Sequence, residues 1–208
     1  TSGSGIGIRE THLSMPTAAT LNQREECGAL RTGIWVRRCS STPEVMPILS
    51  PESLYDGGIV IEIQNLLKTE FLGRNLHFYE SVESTNTVLK ELAQNGAPHG
   101  TVVIADEQTR GRGRLGREWS SRAGRGIWMS VLLRPELKPE AVQALTLAAS
   151  VSVCRAIEPV LDERPGIKWP NDILIAGKKV CGILTELSAE ADKVSWVIVG
   201  IGLNTHHS

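Results

Sequence analysis

Aromatic residues are scarce in this 208-residue sequence, at 4%, and five of them are Trp against two Tyr and two Phe. Any stacking surface would therefore have to use tryptophan. Cysteine is also sparse: Cys27, Cys39, Cys154 and Cys181 form neither a C-x-x-C pair nor a zinc-ligand spacing, so neither a thioredoxin-type motif nor a zinc module is read. Cys154 falls in a helical apolar pattern and Cys181 in a strand pattern, and both are expected as buried, reduced thiols in a cytoplasmic protein. No charge sign dominates. With 22 Lys and Arg against 23 Asp and Glu the formal net charge is −1, which gives no general attraction to nucleic acid or membrane. No run approaches ~20 apolar residues, so no membrane span is read. The start lacks Met, and it lacks the charged and apolar regions of a secretory signal.

What is present is 41% hydrophobic residues, enough for one good core. Residues 1–50 show no sustained period after a linker-like Thr1-Ser2-Gly3-Ser4-Gly5, and they are expected to be a poorly ordered extension with Met46 as a plausible start. Order is expected from Ile59, whose spacing with Ile63, Leu66 and Leu67 is helical. A strand over 75–80 and a helix from the N-cap residue Ser84 to Gly96 follow. Strands are predicted from Thr101 to Gln108 and over 127–133. Pro139 opens the main core helix, with Val142, Leu145, Ala149, Val153, Ala156, Ile157 and Val160 on one stripe. A short strand ends at a buried-looking Trp169. A hairpin turns at Ala176-Gly177, and Val194 to Ile201 forms the last strand. This pattern is α+β, with a mostly antiparallel mixed sheet and helices on one face.

The densest feature is Arg110-Gly111-Arg112-Gly113-Arg114-Leu115-Gly116-Arg117-Glu118-Trp119. Glycines let backbone approach a ligand, and guanidinium forks match carboxylate and phosphate oxygens. Gly111, Gly113 and Gly116 match a dinucleotide fingerprint literally, but the apolar helix that should follow is missing. The Lys-Ser/Thr that ends a P-loop is missing too. An Arg/Gly nucleic-acid segment usually lies in a tail, whereas this run lies between two strands. Context favours a loop that closes on a small anion. Other polar groups carry two readings each. Lys178 and Lys179 are exposed hairpin charges or part of the anion site. Asn171-Asp172 is turn chemistry after Pro170 or a polar site with Lys168. Ser84, Thr85 and Asn86 cap a helix or present its amide end to a ligand. His206 and His207, without a second ligand pair, are read as loop residues.

Taken together, Ser84-Thr85-Asn86, the Gly111–Arg117 loop, Lys168-Trp169-Pro170-Asn171-Asp172, Lys179–Leu184 and Gly200-Ile201-Gly202-Leu203-Asn204 resemble biotin protein ligases in order and spacing. The resemblance implies a catalytic domain related to class II aminoacyl-tRNA synthetases and lipoate ligases. It also implies adenylation of biotin by ATP with Mg²⁺, then transfer to a lysine of a biotin carboxyl carrier domain of a carboxylase such as acetyl-CoA carboxylase. Lys179, Arg114 and Asp172 would be catalytic. Biotin would meet Ser84, Thr85, Asn86, Gln108, Gly111, Arg112, Gly113, Lys179, Gly182 and Gly202. The nucleotide would meet Arg112, Arg114, Arg117, Trp119, Lys168, Asn171 and Asn204, while Gly200 leaves space and Trp128 belongs to the core.

The match runs from about residue 59 to the end, so residues 51–208 are expected to be that catalytic domain. Family members continue past the Gly200–Asn204 segment into an SH3-like barrel, and on that reading the domain is C-terminally truncated. The preceding 50 residues lack a helix-turn-helix pattern, so DNA binding is not expected. A homodimer through a sheet edge is possible. Lipoate ligase is the nearest rival, disfavoured by the intact arginine-glycine loop. A biotin-binding module without turnover comes next.

Overall fold

A computed structural model describes residues 58–190 and 192–205. The expectations for residues 1–50, Cys27, Cys39, Met46, His206 and His207 lie outside the described residues. The elements are α1 (Gly58–Leu66), β1 (Leu76–Val82), α2 (Thr85–Gln94), β2 (Val102–Gln108), β3 (Gly126–Leu133), α3 (Gln143–Ile157), β4 (Gly166–Lys168), β5 (Asp172–Ile175), β6 (Lys178–Glu190) and β7 (Lys193–Asn204). Single 3₁₀ turns flank α3, the first opened by Pro139, whose fixed φ and missing N–H suit a helix start.

The strands form one seven-stranded sheet in the order β1-β2-β3-β7-β6-β5-β4. Only β1 and β2 run parallel, joined by α2 as the crossover that parallel strands require. The remaining pairs are antiparallel. The β5–β6 hairpin turns where expected, with Ala176 at φ 49° and Gly177 at φ 76°, the two positive values of a type I′ turn.

Side chains alternate across a strand, and β6 and β7 use the alternation to build two different surfaces. Cys181, Ile183, Val197 and Val199 face one side and pack with Val142, Leu145, Ala149, Val153 and Ile157. Thr146 of α3 meets Thr185 of β6 there through their hydroxyls, 2.7 Å apart. Ile198, with Leu132 and Val103 of the neighbouring strands, faces the other side and packs with Leu89 and Ala93 of α2. Burying one such aliphatic side chain contributes about 1.5–3 kcal/mol. The α+β class and the mostly antiparallel sheet are as expected. Placing the helices on one face was wrong in detail: α3 covers one face and α2 the other, because the β1–β2 crossover lies over the face that bears Val103.

Helix α3 also differs from its expected stripe. Val142, Leu145, Ala149, Val153 and Ile157 pack on the sheet, while Ala156 and Val160 are exposed, since the stripe drifts off the contact at the final 3₁₀ turn. By length and composition alone, Pro139–Val160 could cross a membrane; here one side of it is committed to the sheet. Trp169 corrects another expectation. It is 75% exposed, because it follows β4, the three-residue edge strand with no buried position.

Arg134 fixes the orientation of α2. Its Nη2 donates to the carbonyl oxygens of Ala93 (2.8 Å) and Ala97 (3.0 Å), and its Nε also donates to Ala97 O. A cation at the carbonyl end satisfies orphan acceptors and complements the helix dipole. The amide end of α2 is thereby left facing the lower half of the sheet.

Candidate functional site

Below the N-terminus of α2, the side chains on its face of the sheet shrink. The cross-strand pairs there are Leu184 with Gly200 and Gly182 with Gly202, and the glycines leave a floor of bare backbone. A Cβ on Gly200 would collide with the amide of Asn86, and one on Gly202 would come within 2.5 Å of Trp119 Nε1. The result is a cleft of ≈ 310 Å³ whose lining includes Thr85, Asn86, Gln108, Arg114, Trp119 and Lys179.

Lys179 reaches this cleft because of a β-bulge. Ile173 pairs with Cys181 but Leu174 pairs with Lys179, so Val180 is an extra residue on β6. Strict alternation would put Lys179 on the same face as Cys181. The bulge instead sends Val180 into the α3-side core beside Cys181 and turns Lys179 to the cleft, re-aiming a side chain as bulges do. Lys179 Nζ stands 2.8 Å from Asp172 Oδ1 and 5.0 Å from the Trp119 ring centroid, an ion pair and a cation–π contact on one ammonium.

The arginine loop crosses the cleft at its open side. The short antiparallel bridge between Arg112 and Glu118 folds it into a small hairpin. Three side chains moor it: Arg110 to Glu83 (3.2 Å), Arg112 to Glu186 (2.8 Å), and Arg114 to Asn171 Oδ1 (3.0 Å). At its tip Leu115 has φ 57° and is 89% exposed. The left-handed region costs a non-glycine residue about 1–2 kcal/mol, so a Leu there turns the chain back at some strain. Trp119, at the loop's end, lays its indole over Gly182 and Gly202. Its buried indole N–H has no acceptor among the described residues.

The helix end supplies a hydrogen-bonded polar cluster. Ser84 occupies the N-cap position but makes no side-chain cap; the Thr85 amide donates instead to Gln108 Oε1 at 2.9 Å. Gln108 Nε2 donates to Ser121 Oγ. The buried Ser130 hydroxyl lies 2.7 Å from Thr85 Oγ1 and 2.6 Å from Asn86 Oδ1, and Thr85 Oγ1 lies 3.1 Å from Gln108 Oε1. Two hydroxyl protons face three such contacts. The cluster is short of donors, an environment suited to a ligand that brings N–H groups.

The chain has marked likeness to known proteins. Residues 78–204 match the model of the biotin/lipoate A/B protein ligase family. The chain belongs to that family. It is 51% identical over 145 residues to the bifunctional ligase/repressor BirA of Bacillus spizizenii, covering 70% of this chain and 45% of that protein. It is 41% identical over 138 residues to the biotin–[acetyl-CoA-carboxylase] ligase of Mycobacterium tuberculosis, covering 63% and 49%. The chain thus spans about half the length of the curated relatives it matches. A biotin protein ligase from Leishmania major, solved in complex with biotinyl-5-AMP, superposes with TM-score 0.56 at 32% identity over 65% of this chain and 59% of that one.

Within this family fold, the cleft gathers Ser84, Thr85, Asn86, Gln108, Arg112, Gly113, Arg114, Arg117, Trp119, Asn171, Asp172, Lys179, Gly182 and Gly202. Gly111 lines an adjoining outer cavity on the far side of the loop. Lys168 and Asn204 line neither: Lys168 is exposed on the edge strand and Asn204 pairs with Gly126 at the end of β7. Trp128 is core, 1% exposed. Sequence reasoning missed Ser121, Ser130 and Glu186. A serine in the apolar run Ile127–Leu133 was the signal for Ser130. A carboxylate in the alternation of Gly182, Leu184 and Glu186 was the signal for Glu186.

The thiols are set apart from the cleft. Cys181 is fully buried and Cys154 partly so, both free. Burial raises the Cys181 pKa to about 12, and burial followed by the nearby Glu158 carboxylate raises that of Cys154.

Proposed function

We propose that this chain activates biotin with ATP to biotinyl-5′-AMP and transfers biotin to a lysine of a biotin carboxyl carrier domain, such as that of acetyl-CoA carboxylase, in the cytoplasm. One observation carries the reading: the bulge delivers Lys179 into a glycine-floored cleft that faces Arg112, Arg114 and Arg117 on a glycine-rich loop. In the first step a carboxylate oxygen of biotin attacks the α-phosphorus of ATP and pyrophosphate leaves. Two anions must meet, and preorganised cations lower that barrier most. Lys179 stabilises charge on the α-phosphoryl oxygens, while Arg112, Arg114 and Arg117 hold carboxylate and phosphates. The donor-poor cluster of Thr85, Asn86, Ser130 and Gln108 takes the ureido N–H groups. The Trp119 ring packs beside adenine, its N–H donating to a ligand acceptor.

In the second step the neutral carrier amine attacks the acyl carbon and AMP leaves. Asp172 orients that amine or takes its proton, once Lys179 turns to the phosphate. Mg²⁺ would arrive with ATP. Among the described residues no three His, Cys, Asp or Glu side chains converge, and the oxygen ligands near Lys179 are Asp172 and Asn171, which suits an ion held mainly by phosphates and water. The names of the relatives above favour biotin over lipoate as the acid.

The test is pyrophosphate release from ATP by the 208-residue chain, with lipoate and octanoate as controls. Release with biotin alone supports the ligase. Calorimetric biotin binding without release would leave a binding module, and release with lipoate alone would overturn the biotin assignment. Light scattering at micromolar concentration tests whether a sheet edge, β1 or β4, joins two copies.

A further inference from the structure

We propose that Glu186 is a positioning residue that sets both halves of the ligand site at once, an inference that rests on the site reading above. One oxygen, Oε2, accepts from Arg112 Nη2 at 2.8 Å and from Asn86 Nδ2 at 2.7 Å. These two donors belong to different parts of the chain, the arginine loop and the first turn of α2. An ionised carboxylate only accepts hydrogen bonds. It therefore fixes which end of the Asn86 amide faces β6, and so turns Oδ1 toward Ser130. If the amide flipped, its Oδ1 would face the Glu186 carboxylate, oxygen against oxygen.

The same carboxylate holds Arg112 from behind. Arg112 lines both the cleft and the outer cavity, whereas Glu186 lines only the outer one. Among the described residues Arg112 has no other hydrogen-bond partner. Of its five N–H donors, those not spent on Glu186 remain for an anion in the cleft. The Glu186–Arg112 contact is also less exposed than the Arg110–Glu83 mooring, so it is the less screened of the two. Glu186 thus couples the donor-poor cluster to the loop. A ligand that engages Asn86 finds Arg112 already placed, and part of the ordering cost of the loop is met before binding.

The experiment uses Glu186→Gln, Arg112→Gln and the double variant of the full 208-residue chain. Tryptic cleavage after Arg114 is followed by mass spectrometry without ligand, biotin affinity by calorimetry, and folding by Tm. A glutamine cannot make two charge-assisted bonds. Each single variant is expected to speed cleavage after Arg114 about tenfold and weaken biotin about tenfold, the size of one lost charge-assisted hydrogen bond. Tm should stay within about 2 °C, since the contact is partly exposed. The double variant should cleave no faster than either single one, because coupled residues are not additive. Unchanged cleavage in Arg112→Gln, or unchanged biotin affinity in Glu186→Gln, would overturn the proposal. If Glu186→Gln fails to fold, Arg112→Gln still decides through cleavage. Failure of the wild-type chain to bind biotin would instead overturn the site reading, a different result from wild-type binding that the variants leave intact.

Discussion

The two faces of β6 and β7 differ by one residue of register and serve opposite purposes. On the α3 side, Cys181, Ile183, Val197 and Val199 close the sheet against a helix. On the α2 side, Gly182, Gly200 and Gly202 leave backbone bare, and polar groups from the helix end, the loop and the β5–β6 hairpin converge over it. A core is made by filling alternate positions, and a site by refusing to fill the ones between. The same two strands therefore supply rigidity and cavity together, since the floor of the cleft is backed by the packed face behind it.

Substitutions can set the two faces against each other. The largest effect is expected from Lys179→Ala, which removes the cation that the bulge delivers. Biotin-dependent pyrophosphate release should fall by about 100-fold or more with Tm nearly unchanged, and a loss of no more than about twofold would sink the assigned role. Gly202→Ala and Val197→Ala test the contrast itself. Gly202→Ala fills the floor beneath Trp119 and should weaken biotin about tenfold in calorimetry, by displacing an indole that belongs to the loop and to neither packed core. Val197→Ala, on the closed face, should lower unfolding free energy by about 1–3 kcal/mol and leave biotin affinity alone. If both variants lose stability and affinity alike, the faces are not separate in function.

A smaller effect is expected from Arg114→Gly, which cuts the mooring to Asn171. The adenylate should leave about fivefold faster, consistent with loss of one exposed charge-assisted contact, and stray lysines in a bystander protein should gain biotin. An unchanged release rate would count against the loop acting as a lid. The smallest concerns Cys181. Its pKa rises from 9.0 to about 12 on burial, so above pH 9 the unfolded state gives up a proton that the folded state keeps. The unfolded state then binds fewer protons, and stability falls as pH rises through that window. Cys181→Ala should flatten that fall in urea titrations at pH 9 to 10. Equal slopes in both proteins would show that the thiol does not contribute.

Much of the site was legible before folding, for physical reasons that differ by motif. The loop could be read because Arg and Gly alternate only where charge and backbone freedom are both needed. Gly182, Gly200 and Gly202 were read as space because no other residue type leaves any. Glu186 and Ser130 were harder to see, since their partners Arg112, Asn86 and Thr85 lie 44 to 100 positions away. Lys168 was placed with the site by its neighbours in sequence, and an edge strand carried it to solvent.

The sequence by itself determined the elements, the alternation that divides filled from empty positions, and the residue types able to hold two anions. Those depend on local sterics and on chemistry each residue carries alone. Only the tertiary structure decided which face each helix covers, that an extra residue at Val180 turns Lys179 to the cleft, and that one carboxylate joins loop to helix. Each of these depends on how strands pair across long stretches of chain, and a shift of a single residue in that pairing exchanges core for site.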